Sequence, residues 1–268
     1  MRLLLKLSTY PDSLLTLNYH YALSSAIYNL LHFGSPEFAS FLHDIGYRLN
    51  GKKYKLFCFA IRFANINIIN DSIKLLTPEA DLYITSPLIE DFVKNFVIGS
   101  FEKQTIKITD RNLTTEFRIH QMESLPEINL SSGAKFISLS PLVLSTIKEY
   151  KGELKQYYLR PEDKEDINRV ITHNLKNKYM LIYGKEISGG ELKLNWDEDY
   201  LKRHNRVTKK VTINKNGRYP VDVIGIQAPF TLEGNQELIM VGYECGFGEK
   251  NSMGFGMAEV IDLHSAKN

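Results

Sequence analysis

Four of the chain's 17 glycines fall between Gly246 and Gly256, in the stretch GFGEKNSMGFG. A Gly-Phe-Gly stands at each end, and most of the residues between them are polar or charged. A regular helix or strand tolerates that density poorly, because glycine loses more backbone freedom on ordering than any other residue. The segment therefore has to be a loop or a kinked strand on a tight path. It is not a dinucleotide fingerprint, since after Gly246 and Gly248 the third glycine would fall at Asn251; nor is it a P-loop, since no glycine here precedes Lys-Ser or Lys-Thr. Two readings stand. In one, Phe247 and Phe255 pack and the glycines turn the chain. In the other, glycine lets the backbone approach a sugar-phosphate chain, with exposed N–H groups, Lys250, Asn251 and Ser252 as donors.

The net charge of +2 asks for no polyanion by itself, but the positive charge is unevenly spread. Lys202, Arg203, Arg206, Lys209, Lys210, Lys215 and Arg218 follow one another with no acid between Leu201 and Val221. Such a run serves a solvated strand face or a surface that tracks phosphates. With 43% hydrophobic and 24% charged residues the chain is globular, and its 268 residues suit one large or two ordinary domains. The opening MRLLLKLS is too short for a signal peptide and no apolar run reaches membrane-spanning length, so a soluble cytoplasmic protein is expected. Cys58 and Cys245, far apart among apolar neighbours, read as buried thiols.

The periodicity predicts strands at RLLLKLS (2–8), YKLFCFAIRF, SIKLL, QTIKITD and TTEFRI, with helices over Tyr21–Phe33, from Pro36 to about Gly46, and over Pro87–Ser100. Ser35 is the expected N-cap of the second helix and Pro36 its first residue. The stretch 121–134, with Pro126 and Ser-Ser-Gly, reads as a linker. Beyond it come a strand at AKFISLS, a helix over about 163–178, strands at ELKLNW, VTKKVTIN and RYPVDVIGI, a helix over 235–245, and a last strand at GFGMAEVIDL. Asn216-Gly217 signals a hairpin. Each half thus has the order strand, helix, strands, helix, strand. That order predicts an α+β protein of two tandem ferredoxin-like (βαββαβ) domains, 1–125 and 126–268.

The seven histidines are scattered, with no H-E-x-x-H and no zinc spacing, so no metal and no cofactor are expected. His43 ends the second predicted helix, Tyr28 lies on the first, and Lys52, Lys53 and Lys55 follow within a dozen residues. A helix-end histidine of this kind serves the dipole as readily as it serves catalysis.

GYECGFGEKNSMGFGM (242–257), SSAIYNLL…SPEFASFLHD (24–44), KFISLSPLVL (135–144) and NKYMLIYG (177–184) together resemble one family. It is the CRISPR-associated endoribonuclease family that cuts precursor CRISPR RNA within its repeats, the sixth of the Cas proteins, a branch of the repeat-associated superfamily built from ferredoxin-like domains. The resemblance covers most of the chain, with residues 60–125 contributing little. It implies that the glycine-rich loop contributes to RNA binding through Gly246, Gly248, Lys250, Asn251 and Ser252. It also implies a catalytic Tyr28 and His43 with a lysine; Lys55 fits best, while Lys52 or Lys53 reaches the same place. The implied reaction is a metal-independent attack of a ribose 2′-hydroxyl on the adjacent phosphate. Its products are a 2′,3′-cyclic phosphate and a 5′-hydroxyl. Precursor and mature CRISPR RNA are the implied partners, held also by Lys52, Lys53, Arg203, Arg206, Lys209 and Lys210. The resemblance further implies a CRISPR effector complex as a partner and a protein that is a monomer or homodimer. The alternative within the superfamily is a non-cleaving protein that binds or scaffolds CRISPR RNA.

Overall fold

The computed structural model describes residues 1–110, 113–130, 132–214 and 219–262. The chain forms two compact units: Met1–Glu127 with Val211–Val221 and Ser252–Gly254, and Ile128–Lys210 with Asp222–Asn251 and the residues from Phe255 onward.

The first unit is built on β1 (Arg2–Ser8), β2 (Cys58–Phe63), β3 (Glu79–Thr85), β4 (Thr105–Asp110) and β5 (Leu113–Ser124). Their order across the sheet is β2-β3-β1-β5-β4, with every neighbouring pair antiparallel. Leu3, Leu5 and Leu7 alternate along β1 and are buried, as the two-residue repeat of a strand requires. Helix α1 (His20–Gly34) presents Leu23, Ile27, Leu30 and Leu31 as one apolar stripe to the same core. Ser35 accepts the Phe38 N–H at 3.2 Å and so caps α2 (Pro36–Ser40). Helix α3 (Lys94–Lys103), entered through a wide turn at Ile89–Val93, approaches α1 until the backbones touch. A Cβ on Gly99 would lie 1.8 Å from the Leu30 carbonyl oxygen, so only glycine fits there.

The second unit has β6 (Gly133–Ser138), β7 (Lys193–Trp196), β8 (Phe230–Glu233) and β9 (Ala258–Asp262) in the antiparallel order β7-β8-β6-β9. Its helices are α4 (Lys164–Tyr183), the short α5 (Glu198–Arg203) and α6 (Gln236–Cys245), the last capped by Asn235, which accepts the Leu238 N–H at 3.1 Å. Phe136, Phe230 and Phe247 pack ring against ring in its core.

Several expectations shift. The linker set at 121–134 starts too early, because β5 continues through Ser124 by pairing with β1, Leu3 opposite Ser124. The strand expected over YKLFCFAIRF is broken at Leu56, which has φ +52°, into a small ribbon strand Lys52–Tyr54 and β2. Neither Thr208–Ile213 nor Val221–Ile226 joins a central sheet. The strand that completes the second sheet is FTLE in β8, too short between Pro229 and Gly234 to carry a periodic signal. The hairpin of Ser145–Tyr150 with Glu153–Tyr158 had no counterpart in the sequence reading. The Asn216-Gly217 hairpin lies outside the described residues. Both cysteines are buried. Among the described residues no helix is long and apolar enough to cross a membrane.

Gly99→Ala is expected to lower stability by about 1–3 kcal/mol, since the added methyl meets backbone rather than a movable side chain. Thermal or urea unfolding checks this, with truncation of the exposed neighbour Ile98 to alanine as the near-neutral control.

Candidate active site

Tyr28 lies on α1 and His43 on the turn that follows α2. Residues Phe41–Ile45 wind as a single π turn, closed by the Gly46 N–H donating to the Phe41 carbonyl at 2.8 Å. Such a turn inserts a residue into the helical path and turns its side chains away from the preceding register, a device common at functional sites. Here it sets the His43 ring edge-on against Tyr28, with centroids 5.3 Å apart and planes at 90°. Tyr28 also meets Phe57 edge-on at 5.7 Å. A cavity of about 360 Å³ opens beside them, lined among others by Ser24, Tyr28, Asn29, His32, His43 and Asp44.

Charged and titratable groups crowd this turn. His43 Nδ1 lies 2.7 Å from Asp44 Oδ1, and this bond holds the Asp44 carboxyl below its ordinary range. With the carboxylate accepting from Nδ1–H, Nε2 is the ring nitrogen left for a ligand. Lys55 Nζ donates to the His43 carbonyl at 2.6 Å, and Lys53 donates to the Asp44 carbonyl. The turn therefore presents its carbonyl end to two ammonium groups, which suits the dipole of a helical C-terminus. Half-burial and then the neighbouring Lys53 pull Lys55 down from 10.5 to about 8, against the raising pull of Asp44. Burial pushes the Tyr28 phenol well above its ordinary value, partly countered by the polar side chain of Ser252. Burial likewise lowers His20, stacked on Tyr19, to about 4.

Tyr28, His43, Lys53 and Lys55 thus come together; Lys52 is exposed on the adjoining ribbon. Asp44 was not singled out from the sequence, although its place beside His43 was the available signal. His32 lines the same cavity.

The glycine-rich segment is organised around a residue the sequence did not point to. Lys178, on α4 and only 2% exposed, donates to the carbonyls of Gly246 at 2.7 Å and Gly248 at 2.9 Å and to Asn251 Oδ1 at 2.7 Å. Asn251 Nδ2 donates onward to the carbonyls of Phe247 at 3.2 Å and Phe255 at 2.9 Å. The Phe247 and Glu249 N–H groups are also used internally, on Gly256 and Val143. Hence the Asn251 side chain and the carbonyls of Gly246 and Gly248 face into the protein. Phe247 and Phe255 are fully buried. Gly256, at φ +77°, is obligatory, since a Cβ there would sit 1.9 Å from the Phe247 carbonyl oxygen. Lys250 and Ser252 are both partly exposed, and the Ser252 carbonyl accepts from the Ser24 hydroxyl on α1 at 2.7 Å.

Residues 14–121 match the family described as CRISPR-associated protein Cas6, N-terminal, and residues 123–260 match CRISPR associated protein Cas6, C-terminal. The chain belongs to the Cas6 family. It is 33% identical over its whole length to CRISPR-associated endoribonuclease Cas6 1 of Methanocaldococcus jannaschii, covering 96% of that protein. It is 29% identical over 91% of its length to CRISPR-associated endoribonuclease Cas6 of Pyrococcus furiosus, covering 82% of that protein. A solved structure described as CRISPR associated protein Cas6 superposes with a TM-score of 0.73 at 29% identity, over 98% of this chain and 99% of the other.

Among the basic residues of this Cas6 member, Arg203, Arg206, Lys209 and Lys210 are exposed on the second unit. Lys210 pairs with Asp222 at 3.2 Å, and Arg203 Nε donates to the Asp199 carbonyl at 3.1 Å. Lys215 and Arg218 lie outside the described residues.

Lys178→Met removes the donors and leaves buried acceptors unmatched, at about 1–3 kcal/mol for each group left without a partner. Its melting temperature is expected to fall well below that of Lys176→Met, a change on the same helix, when both are followed by calorimetry.

Proposed function

We propose that this protein is a metal-independent endoribonuclease that cleaves CRISPR repeat RNA, with Tyr28, His43 and Lys55 at its centre. The observation that carries the reading is the gathering of the Tyr28 ring, the His43 ring and the Lys55 ammonium about one π turn beside an open cavity. The names of the relatives, CRISPR-associated endoribonucleases, agree with it. The strand orders β2-β3-β1-β5 and β7-β8-β6-β9 support a ferredoxin-like description of both units, with β4 as an added edge strand in the first.

The nucleophile, a ribose 2′-hydroxyl, is already joined to the substrate. Its proton has to leave as oxygen bonds to phosphorus, and the departing 5′-oxygen has to gain a proton as its bond to phosphorus breaks. The products are a 2′,3′-cyclic phosphate and a 5′-hydroxyl, with atoms and charge balanced. His43, its Nδ1 held by Asp44, transfers a proton through Nε2, a contribution of about 100- to 10,000-fold for a positioned acid or base. Burial keeps the Tyr28 phenol protonated at working pH, so it acts as a hydrogen-bond donor that orients the reacting oxygen. The Lys55 ammonium meets the negative charge that grows on the phosphorane, where a preorganised cation counts most. Holding the linkage in line supplies much of the remaining rate. Lys52, Lys53, Arg203, Arg206, Lys209, Lys210 and Lys250 hold the phosphate backbone of precursor and product.

A repeat RNA with a single 2′-deoxy sugar at the cut site is expected to bind with unchanged affinity and stay whole, while EDTA leaves cleavage of the all-ribose RNA unaffected. Dependence of cleavage on Mg²⁺ would remove the mechanism, and a chain that binds the all-ribose RNA and never cuts it is the non-cleaving alternative.

The proton on Lys55 gives a second test. Below about 8 the ammonium is charged and the phosphorane is met by a cation; above about 8 the amine is neutral and that charge is lost. The single-turnover rate is therefore expected to fall as pH rises through about 8, and Lys55→Arg, which keeps its charge, should move that limb to higher pH. An alkaline limb that stays in place with arginine sinks the assignment of Lys55.

A further inference from the structure

Cleavage by a neighbouring 2′-hydroxyl needs two proton transfers, one on each side of phosphorus. In an in-line displacement the entering and leaving oxygens lie opposite one another, so a side chain that reaches one is turned away from the other. The site described so far holds one imidazole for these two tasks. Burial makes the Tyr28 phenolate costly, so this phenol donates a hydrogen bond but parts poorly with its proton. Lys55 is engaged with the His43 carbonyl at 2.6 Å. One proton carrier is missing, and the wall of the cavity holds a second imidazole. Ser24, Tyr28 and His32 follow at four-residue steps along α1, so they form one column, each about 6 Å further along the axis. All three line the cavity of about 360 Å³, and α2 with the π turn adds Ala39, Ser40 and His43. The His43 ring sits against Tyr28 with centroids 5.3 Å apart, and His32 stands one turn beyond Tyr28. Two imidazoles on different helical segments thus border one space. His32 is exposed, its ring meets Phe33 edge-on at 6.3 Å, and among the described residues neither of its ring nitrogens is hydrogen-bonded.

We propose that His32 is a second proton-transfer residue of this site, the general acid that protonates the departing 5′-oxygen, with His43 as the general base. The inference rests on the reading above in which His43 acts in metal-independent cleavage. The two histidines differ in what holds them. His43 Nδ1 lies 2.7 Å from Asp44 Oδ1, an arrangement that leaves the Nε2 lone pair to accept a proton and lets the carboxylate stabilise the imidazolium that forms. No carboxylate holds His32, and its imidazolium presents N–H donors to the cavity. The step then balances. His43 Nε2 takes the 2′-hydroxyl proton as that oxygen bonds to phosphorus. The bond from phosphorus to the 5′-oxygen breaks, its electron pair stays on that oxygen, and a His32 N–H supplies the proton. The products are the cyclic phosphate, the 5′-hydroxyl, a charged His43 and a neutral His32, and exchange with water restores both rings.

The test uses the full chain and two forms of a repeat RNA from the organism's own CRISPR array. One is all-oxygen; in the other, sulfur replaces the 5′-oxygen at the cut site. A thiolate is a far weaker base than an alkoxide and leaves without a proton, so the sulfur-linked RNA needs a general base and no general acid. Single-turnover cleavage is measured for the parent, His32→Ala, His32→Gln and His43→Ala. Both His32 variants are expected to cut the all-oxygen RNA at least about 100-fold more slowly than the parent. On the sulfur-linked RNA they should match the parent within about threefold, which also shows that the fold and the rest of the site are intact. His43→Ala should be slow on both. His32 variants that cut the all-oxygen RNA at the parent rate overturn the proposal, as do variants slowed equally on both RNAs. Recovery of His43→Ala on the sulfur-linked RNA makes His43 the acid and likewise removes His32 from that role. A parent that cuts neither RNA defeats the endoribonuclease reading itself, and a His43→Ala that cuts both at full rate defeats the reading of His43 while the His32 variants still report on the acid.

Discussion

A buried ammonium is tolerated only where every proton it carries has an acceptor, because taking an unpaired charge out of water costs far more than a domain's whole stability margin. Lys178 meets that condition through one stretch of chain. Two of its acceptors are main-chain carbonyls of Gly246 and Gly248, and the third is the side chain of Asn251. The constraint works in both directions. Helix α4 can bury its lysine only if the glycine-rich segment brings its carbonyls inward, and that segment can leave carbonyls inside only because a cation is there to receive them. Asn251 extends the arrangement by donating to Phe247 and Phe255, so the two Gly-Phe-Gly ends are joined through one amide. The density of glycine follows from this. A backbone that converges on a single ammonium passes close to itself, as the 1.9 Å between a Cβ at Gly256 and the Phe247 oxygen makes plain.

The site around His43 obeys a related rule at smaller scale. The π turn leaves carbonyls at His43 and Asp44 that no further helical turn can satisfy, and Lys55 and Lys53 take one each. Because the ribbon that carries these lysines folds straight back from the turn, Tyr47 opposite Tyr54, the cations arrive without a long-range connection. Their mutual repulsion and the half-burial of Lys55 are the direct result of that economy. The fold-back that finishes the turn also half-buries Lys55 beside Lys53, and that burial, then the charge of Lys53, brings its proton equilibrium to about 8. Structure and chemistry cannot be varied independently at this position.

Much of this was legible in the sequence where the signal is local. The strand at RLLLKLS, the helix α1, the Ser35-Pro36 restart and the helix over 235–245 each depend on neighbours within one or two turns, and each stands where the sequence placed it. The grouping of Tyr28, His43 and Lys55 was reached through family resemblance, and the geometry brings those residues together. What escaped was non-local. In NLKNKYM, Lys178 looks like one more residue on the polar face of a helix, since its acceptors lie about seventy residues away. β8 is four residues long and owes its existence to β6 and β7 on its two sides. Gln121–Ser124 reads as the start of a linker, yet β1 supplies a pairing partner that propensity cannot see.

The glycine-rich segment shows why residue type alone misassigns such loops. Lysine, asparagine and serine are the side chains that satisfy phosphate oxygens, and they are equally the side chains that satisfy stray carbonyls. Within GFGEKNSMGFG both tasks draw on the same letters. Positive φ at Gly246 and Gly248 accompanies carbonyls that point toward Lys178, so the acceptors in need of donors are the loop's own. Asn251 answers that internal need, and the Ser252 carbonyl takes its donor from the Ser24 hydroxyl on α1. Lys250, partly exposed between the two ends, is then the cation of the segment on which an external phosphate can call. A loop of this kind is recognised first by how its own backbone groups are satisfied, and only the donors left over are candidates for a ligand.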